Sequence, residues 1–460
     1  MEGQGTVHRT IALLDGPLRT LGSDPEEALV ERLGVMVNLA MSAQARSFHT
    51  PEHIFDLADP TDPHLTLAAL FHDLVYYQVD QGMPTAIGAT LDAYVVEDQG
   101  SVHLATDIPE DDRAFARTAA IFGFGPGDKL SPFGGLNEFL SALVMNLLLD
   151  PVVDEPDLVV ATAAIEQTIP FRGADDKGAS PPEQLARRLG ETIAELGIAV
   201  PRDIQPAVVV QAVLLANRDV RNFAEEDAAR FLDNTWKLLP ESNPALQFGG
   251  LYTIERYAQA LYKMHGFLSA LKPETIFHRF ADQPDEDEYR SLLARAKHNL
   301  AIGTRYLGMK LVSAGLLHAL AQLSGGDAPV AYFMGDLQPK GPGGQLSDHL
   351  PATSPEGVRT ADSDDELFRL LAHGRASESR FDLQHSPLSL FIYRSVDDAG
   401  LAKAVANARR LLRGEIEADG YLRILPAPVV RGVATAVGTI AFTRRRRLST
   451  ALDEILRNAQ

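Results

Sequence analysis

Apolar residues recur at helical spacing along most of this chain. After Ser23-Asp24-Pro25-Glu26-Glu27, a start rich in cap residues and first-turn acids, Leu29, Leu33, Met36, Val37, Leu39 and Ala40 mark one helix face. Leu67, Ala68, Leu70, Phe71, Leu74 and Val75 are apolar on nearly every side. They predict a buried helix from Asp62-Pro63 to about Gln78, with His72 and Asp73 in its middle. Further helices are expected over 111–122, 137–149, 158–169, 183–196, 205–223, 231–239, 252–271 and 287–323. The stretch 325–365 is rich in Gly, Pro, Ser and Asp and reads as a linker or mobile lid. Beyond it, 388–393 and 421–425 read as strands and 399–412 as a helix. The expected class is therefore mainly α with a small α+β module at the C-terminus. Strands are expected only after about residue 380.

Composition narrows the picture. A chain of 460 residues predicts two or three domains, and 45% apolar content is ample for a core. The formal charge of −20 repels nucleic acid and anionic membranes, so neither is an expected partner. Zero cysteines remove disulfides, thiolate metal sites and cysteine nucleophiles together, and fit a reducing, cytoplasmic setting. No basic stretch precedes a long apolar core and no run of eighteen apolar residues occurs, so neither a signal peptide nor a membrane span is expected. From residue 401 on, 11 Lys and Arg face 5 Asp and Glu, and Arg444–Arg447 is a run of four arginines. Such a run can dock a phosphate, an acidic partner or the acidic remainder of the chain, or simply be solvated.

The candidate chemistry lies in Arg46-Ser47-Phe48-His49-Thr50-Pro51-Glu52-His53 and Phe71-His72-Asp73. Thr50 is a natural N-cap, Pro51 suits the first helical position and Glu52 favours the positive helix end. His49 is then left just outside the helix and His53 falls in its first turn. A single histidine on an apolar helix is usually a core residue with a satisfied hydrogen bond. A His-x-x-x-His pair beside a buried His-Asp is different, because imidazole and carboxylate are standard ligands of divalent metals and buried charge needs a partner. Asp219 stands in an otherwise apolar helix, where a salt bridge to Arg218 or Arg221 is one role open to it. Asp150, Asp154 and Asp157 sit in a Pro-bearing turn and read as solvated; His103 reads as a surface residue.

These residues resemble the HD superfamily of metal-dependent phosphohydrolases. Arg46, Phe48, His49, His53 and Ile54, followed by Phe71, His72, Asp73 and Tyr76, are similar to a subgroup reading Arg-x-Tyr-His-x-x-x-His-Ile and then Phe-His-Asp. Asn137-Glu138-Phe139-Leu140-Ser141-Ala142 resembles its Asn-Glu-x-x-Ser-Ala stretch, and the likeness covers about residues 26–245. Cyclic nucleotide phosphodiesterases share the order of an early His, a metal-binding His four later and a His-Asp pair. The family segment aligned with Glu166 and Thr168 normally continues to a His, where this chain reads Pro170-Phe171-Arg172.

The resemblance implies an HD-type helical bundle over 1–245, a helical extension over 246–335, a linker or lid over 336–365 and a C-terminal module over 366–460. A sheet within the first 250 residues would defeat the HD assignment. It implies one or two divalent metals (Mn, Fe, Zn, Ni and Mg are not distinguished) held by His53, His72, Asp73 and Asp219. A metal-bound water then attacks a phosphate ester, with His49 as general acid. Arg46 either neutralises the phosphate or anchors its loop. Asn137, Glu138 and Asn222 support the site, with Glu138 accepting from a bound water, orienting His72 or merely favouring the helix dipole. The implied substrate is a small phosphorylated molecule, nucleotides included. The C-terminal module is expected to pack on the helical body or, in a homodimer, on a second subunit, since its strands are too few and short to be stable alone. The alternatives are an HD-fold di-iron oxygenase, for which only His103 offers an extra ligand, and a regulatory or binding protein that keeps the scaffold without turnover.

Overall fold

The apolar stripes become packed helices. The computed structural model describes residues 5–457 apart from 99, 248–250, 337–343, 353–364, 380–381 and 383. Much of the expected linker over 336–365 therefore lies outside the described residues. The chain divides into two units, Met1–Ala224 with Leu271–Lys297 and Glu225–Ala270 with His298–Gln460. Helices are observed at Glu27–Met41, Pro51–Leu57, Arg113–Phe122, Leu136–Leu149, Glu155–Gln167, Pro181–Leu196 and Gln205–Asp219, each within a few residues of its expected bounds. No helix is long and apolar enough to cross a membrane.

In the first unit the helix Pro63–Phe71 is the hub. Asp62 starts it by accepting from the backbone N–H groups of His64 and Leu65, and Pro63 occupies its first turn. It packs against Thr6–Thr20 and Glu155–Gln167, and Glu155–Gln167 packs in turn on Gln205–Asp219. Leu67, Phe71, Leu140, Leu158 and Val209 at these contacts are excluded from water. Each such side chain contributes about 2 kcal/mol. That burial fixes the two helix ends at which His72 and Asp219 stand.

Three expectations are corrected. The hub helix stops at Phe71 rather than near Gln78, so His72 is its C-cap and Asp73 lies in a turn instead of mid-helix. The reason is a set of side chains that outbid the helical hydrogen bonds. The Val75 N–H donates to Ser141 Oγ at 3.0 Å and the Tyr77 N–H to Asn137 Oδ1 at 3.1 Å. The Asp73 and Leu74 carbonyls accept from Arg46 at 2.7 and 3.3 Å.

The second correction is a three-stranded antiparallel sheet inside the first 250 residues: β1 (Val95–Asp98), β2 (Ser101–Leu104) and β3 (Lys129–Leu130). Val95 pairs with Leu104, Asp98 with Ser101 and Val102 with Leu130. Gly100, at φ 77°, allows the chain to reverse between the first two strands. Two β-branched runs on either side of a glycine were the available signal, in a section whose polarity favoured a loop reading. An almost wholly helical 1–330 is therefore not what the chain forms.

The third correction concerns the C-terminus. The stretch expected as a strand at 388–393 lies in the helix Pro387–Arg394, 421–425 forms the end of the helix Ala418–Leu422 and the turn after it, and no strand occurs after residue 380 among the described residues. Short apolar runs have no readable period, and here the helix-start signal of Ser386-Pro387 decided the outcome. The module is helical rather than α+β.

In the second unit, the C-terminal end of the long helix Glu286–Ser324 is completed from far along the chain. Arg444 donates to the carbonyls of Ala321 at 3.1 Å and Gly326 at 2.5 Å. Cations suit a helix C-terminus, where four carbonyls lack helical partners. The arginine run is thus divided: Arg444 caps this helix, Arg445 donates to the Gly438 carbonyl, and Arg446 and Arg447 are exposed.

Candidate metal centre

Three segments deliver four side chains to one point. Pro51–Leu57 carries His53 in its first turn, the end of the hub helix carries His72 and Asp73, and Asp219 is the last residue of Gln205–Asp219. One ligand atom from each of His53, His72, Asp73 and Asp219 lies within 4.8 Å of all the others. His53 Nε2 is 3.0 Å from Asp219 Oδ1 and 3.7 Å from Asp73 Oδ2. His72 Nε2 is 2.9 Å from Asp73 Oδ2 and 3.5 Å from Asp219 Oδ1.

The donor set fits a divalent cation. His72 Nδ1 lies 2.9 Å from the Ala69 carbonyl, which fixes the tautomer with a proton on Nδ1 and leaves Nε2 for a ligand. Nε2 is buried and, despite its nearness to Asp73, has no partner in hydrogen-bond geometry among the described residues. Two imidazoles and two carboxylates carry −2, which a divalent ion cancels. Without such an ion, protons do that work. Burial pulls the His72 imidazole down, but Asp73 and Asp219 outweigh it and hold its pKa well above the ordinary value. Burial likewise pushes Asp73 up, but His72 and then His49 hold its carboxyl well below the usual range. Asp219, pushed up by burial, is drawn down to about 2 by its hydrogen bond with His53 and by the nearby His72 imidazole. A metal must therefore displace protons, so its affinity should rise with pH.

His49 stands beside the four. Its Nε2 is 4.0 Å from Asp73 Oδ2, and its ring stacks edge-on against Tyr76 with centroids 4.6 Å apart. Arg218 does not neutralise Asp219; it pairs with Asp59 at 3.2 Å. Of the competing carboxylates, Asp150 pairs with the buried Arg117 and Asp157 with His64. His103 lies on β2, opposite Val96 and Lys129, and is not one of the converging donors. At the position where the family continues to a His, Arg172 instead binds the fully buried Glu166 at 2.6 Å. Asn222 sits in the 3-10 turn Arg221–Ala224 and is not among the donors.

Arg46 is the anchor of the site. Besides the Asp73 and Leu74 carbonyls, it holds Asp80 through Nε at 3.1 Å and Nη2 at 2.6 Å, with its side chain fully buried. Its guanidinium hydrogen bonds go to Asp80, the Asp73 and Leu74 carbonyls and the Met41 sulfur, the arrangement of a residue that anchors this turn. Arg46→Gln leaves Asp80 and two carbonyls without their partner and should cost about 3 kcal/mol in chemical denaturation. An unchanged denaturation midpoint would remove the anchoring role.

Asn137 is also structural. The cap of its helix is Gly135, at φ 92°, and Asn137 lies in the first turn, bridging the Tyr77 N–H and Gln78. Glu138 is buried and its Oε2 has no partner among the described residues. Burial, reinforced by Asp73, pushes its carboxyl up to about 8, so it is protonated at neutral pH when no cation is bound. The folded state then holds this proton between the unfolded pKa near 4.5 and about 8, while the unfolded state releases it. Metal-free protein should lose a few kcal/mol as the pH rises through that window, and Glu138→Gln should lose much less. Parallel pH profiles of the two proteins in chelator would exclude this.

Compared with known proteins, the chain matches no family model, no curated protein and no solved structure.

Proposed function

We propose that this protein is a metal-dependent phosphohydrolase of HD type, acting on a small phosphate ester. The observation that carries the reading is the convergence of His53, His72, Asp73 and Asp219 from three separate segments, with His49 beside them. The sheet within the first 250 residues is the feature expected to defeat an HD assignment made on the fold, so the proposal rests on this donor set alone. A divalent metal in such a donor set polarises a phosphoryl oxygen and lowers the pKa of an attacking water.

The chain's own residues then have separable tasks. His53, His72, Asp73 and Asp219 hold the cation, and Arg46 fixes the turn from which Asp73 reaches it. His49 lies within reach of the centre, is held by the Tyr76 ring and gives its proton to the departing alkoxide. The test is elemental analysis of the purified protein, followed by a screen of nucleotides and phosphodiesters with and without chelator. Chelator-sensitive release of phosphate or of an alcohol supports the reading. A protein with no metal and no turnover under metal supplementation would leave it a scaffold without catalysis.

A further inference from the structure

A cavity lies along the helix that ends at Asp219, within the first unit. Its volume is about 500 Å³, in the range of small-molecule sites. Its lining carries both charge signs together with an aliphatic wall from Leu65, Leu214 and Leu292. Two of its three carboxylates are already occupied. Asp62 accepts from the backbone of His64 and Leu65 and, at 2.8 Å, from Gln211. Asp59 accepts from the N–H and hydroxyl of Thr61 and from Arg218. Glu288 is exposed. On the cationic side, Arg218 spends Nη1 on Asp59 but keeps a buried Nε without a partner among the described residues, and Arg221 stands three residues further on.

We propose that this cavity binds a small zwitterion, an α-amino acid with an aliphatic side chain. The guanidinium of Arg218, joined by Arg221, takes the α-carboxylate in the fork geometry that guanidinium offers. Glu288 takes the ammonium, and the leucines take the side chain. A simple anion such as phosphate fits less well, because three carboxylates share the lining with two arginines in a protein of formal charge −20. A zwitterion answers both signs at once.

The test is calorimetric titration of the full-length protein with L-leucine, L-isoleucine, L-valine and L-methionine. 4-Methylpentanoate and isoamylamine, which each lack one charge of leucine, serve as controls. At least one amino acid should bind saturably at one site, with both leucine analogues at least tenfold weaker than leucine. Arg221→Gln and Glu288→Gln, both at exposed positions, should each weaken binding tenfold or more without moving the melting temperature. His53→Ala, which addresses the metal centre, should leave binding intact, so this inference and the phosphohydrolase reading fail separately. The proposal is overturned if none of the four amino acids binds, if the analogues bind equally well, if neither exposed variant weakens binding, or if His53→Ala abolishes it.

Discussion

Replacing His72 by alanine is expected to strip the protein of metal, abolish hydrolysis and lower the melting temperature together. His72 is about 1% exposed and its Nε2 faces two carboxylates, so no solvent ligand can substitute for it without opening the core. Bound metal stabilises by mass action, about 2.7 kcal/mol when free metal is a hundredfold above its dissociation constant. The substitution also removes buried volume, which lowers stability for a separate reason. The two effects part under chelation. Chelator should lower the melting temperature of the wild type and leave that of His72→Ala where it is. A His72→Ala protein that still carries an equivalent of metal would remove His72 from the centre.

His49 and His53, four residues apart, should behave differently. His49→Ala is expected to keep near-normal metal while turnover falls by roughly 10²–10⁴, the usual worth of general acid catalysis. The defect should shrink with a nitrophenyl ester, whose leaving group needs no proton. His53→Ala should lose metal, and no leaving group should rescue it. The contrast rests on geometry, because His53 Nε2 contacts Asp219 at 3.0 Å whereas His49 Nε2 stands 4.0 Å from Asp73 Oδ2. If His49→Ala strips metal as well, His49 is a fifth ligand. The di-iron oxygenase reading then gains at the expense of the hydrolase.

The helices were legible because their apolar periods are long, and Asp219 because a carboxylate ending an apolar helix must answer to something. What was not legible depends on distant partners. Nothing in 62–78 says that the helix stops at Phe71, since the groups that stop it are Arg46, Asn137 and Ser141. Arg46 could be either anchor or phosphate ligand until Asp80, 34 residues away, appeared beside it. Leu388 to Tyr393 is apolar enough for strand or helix, and its Ser-Pro start outweighed its composition. The hairpin at 95–104 was hidden by polar neighbours, although its valines and Gly100 were in view.

The arginine that caps the long helix is made very late. Arg444 follows Gly326, whose carbonyl it binds, by 118 residues. At about 5–20 residues per second of synthesis, that interval is on the order of ten seconds. Throughout it, the Ala321 carbonyl has only the local Gly326 N–H and the Ser324 hydroxyl as donors, and the guanidinium that joins them is missing. A nascent chain stalled before this arginine would hold the metal ligands up to Asp219 but an unfinished second unit, exposed to proteases and chaperones. The capping of this helix thus waits on a residue made long after the helix itself.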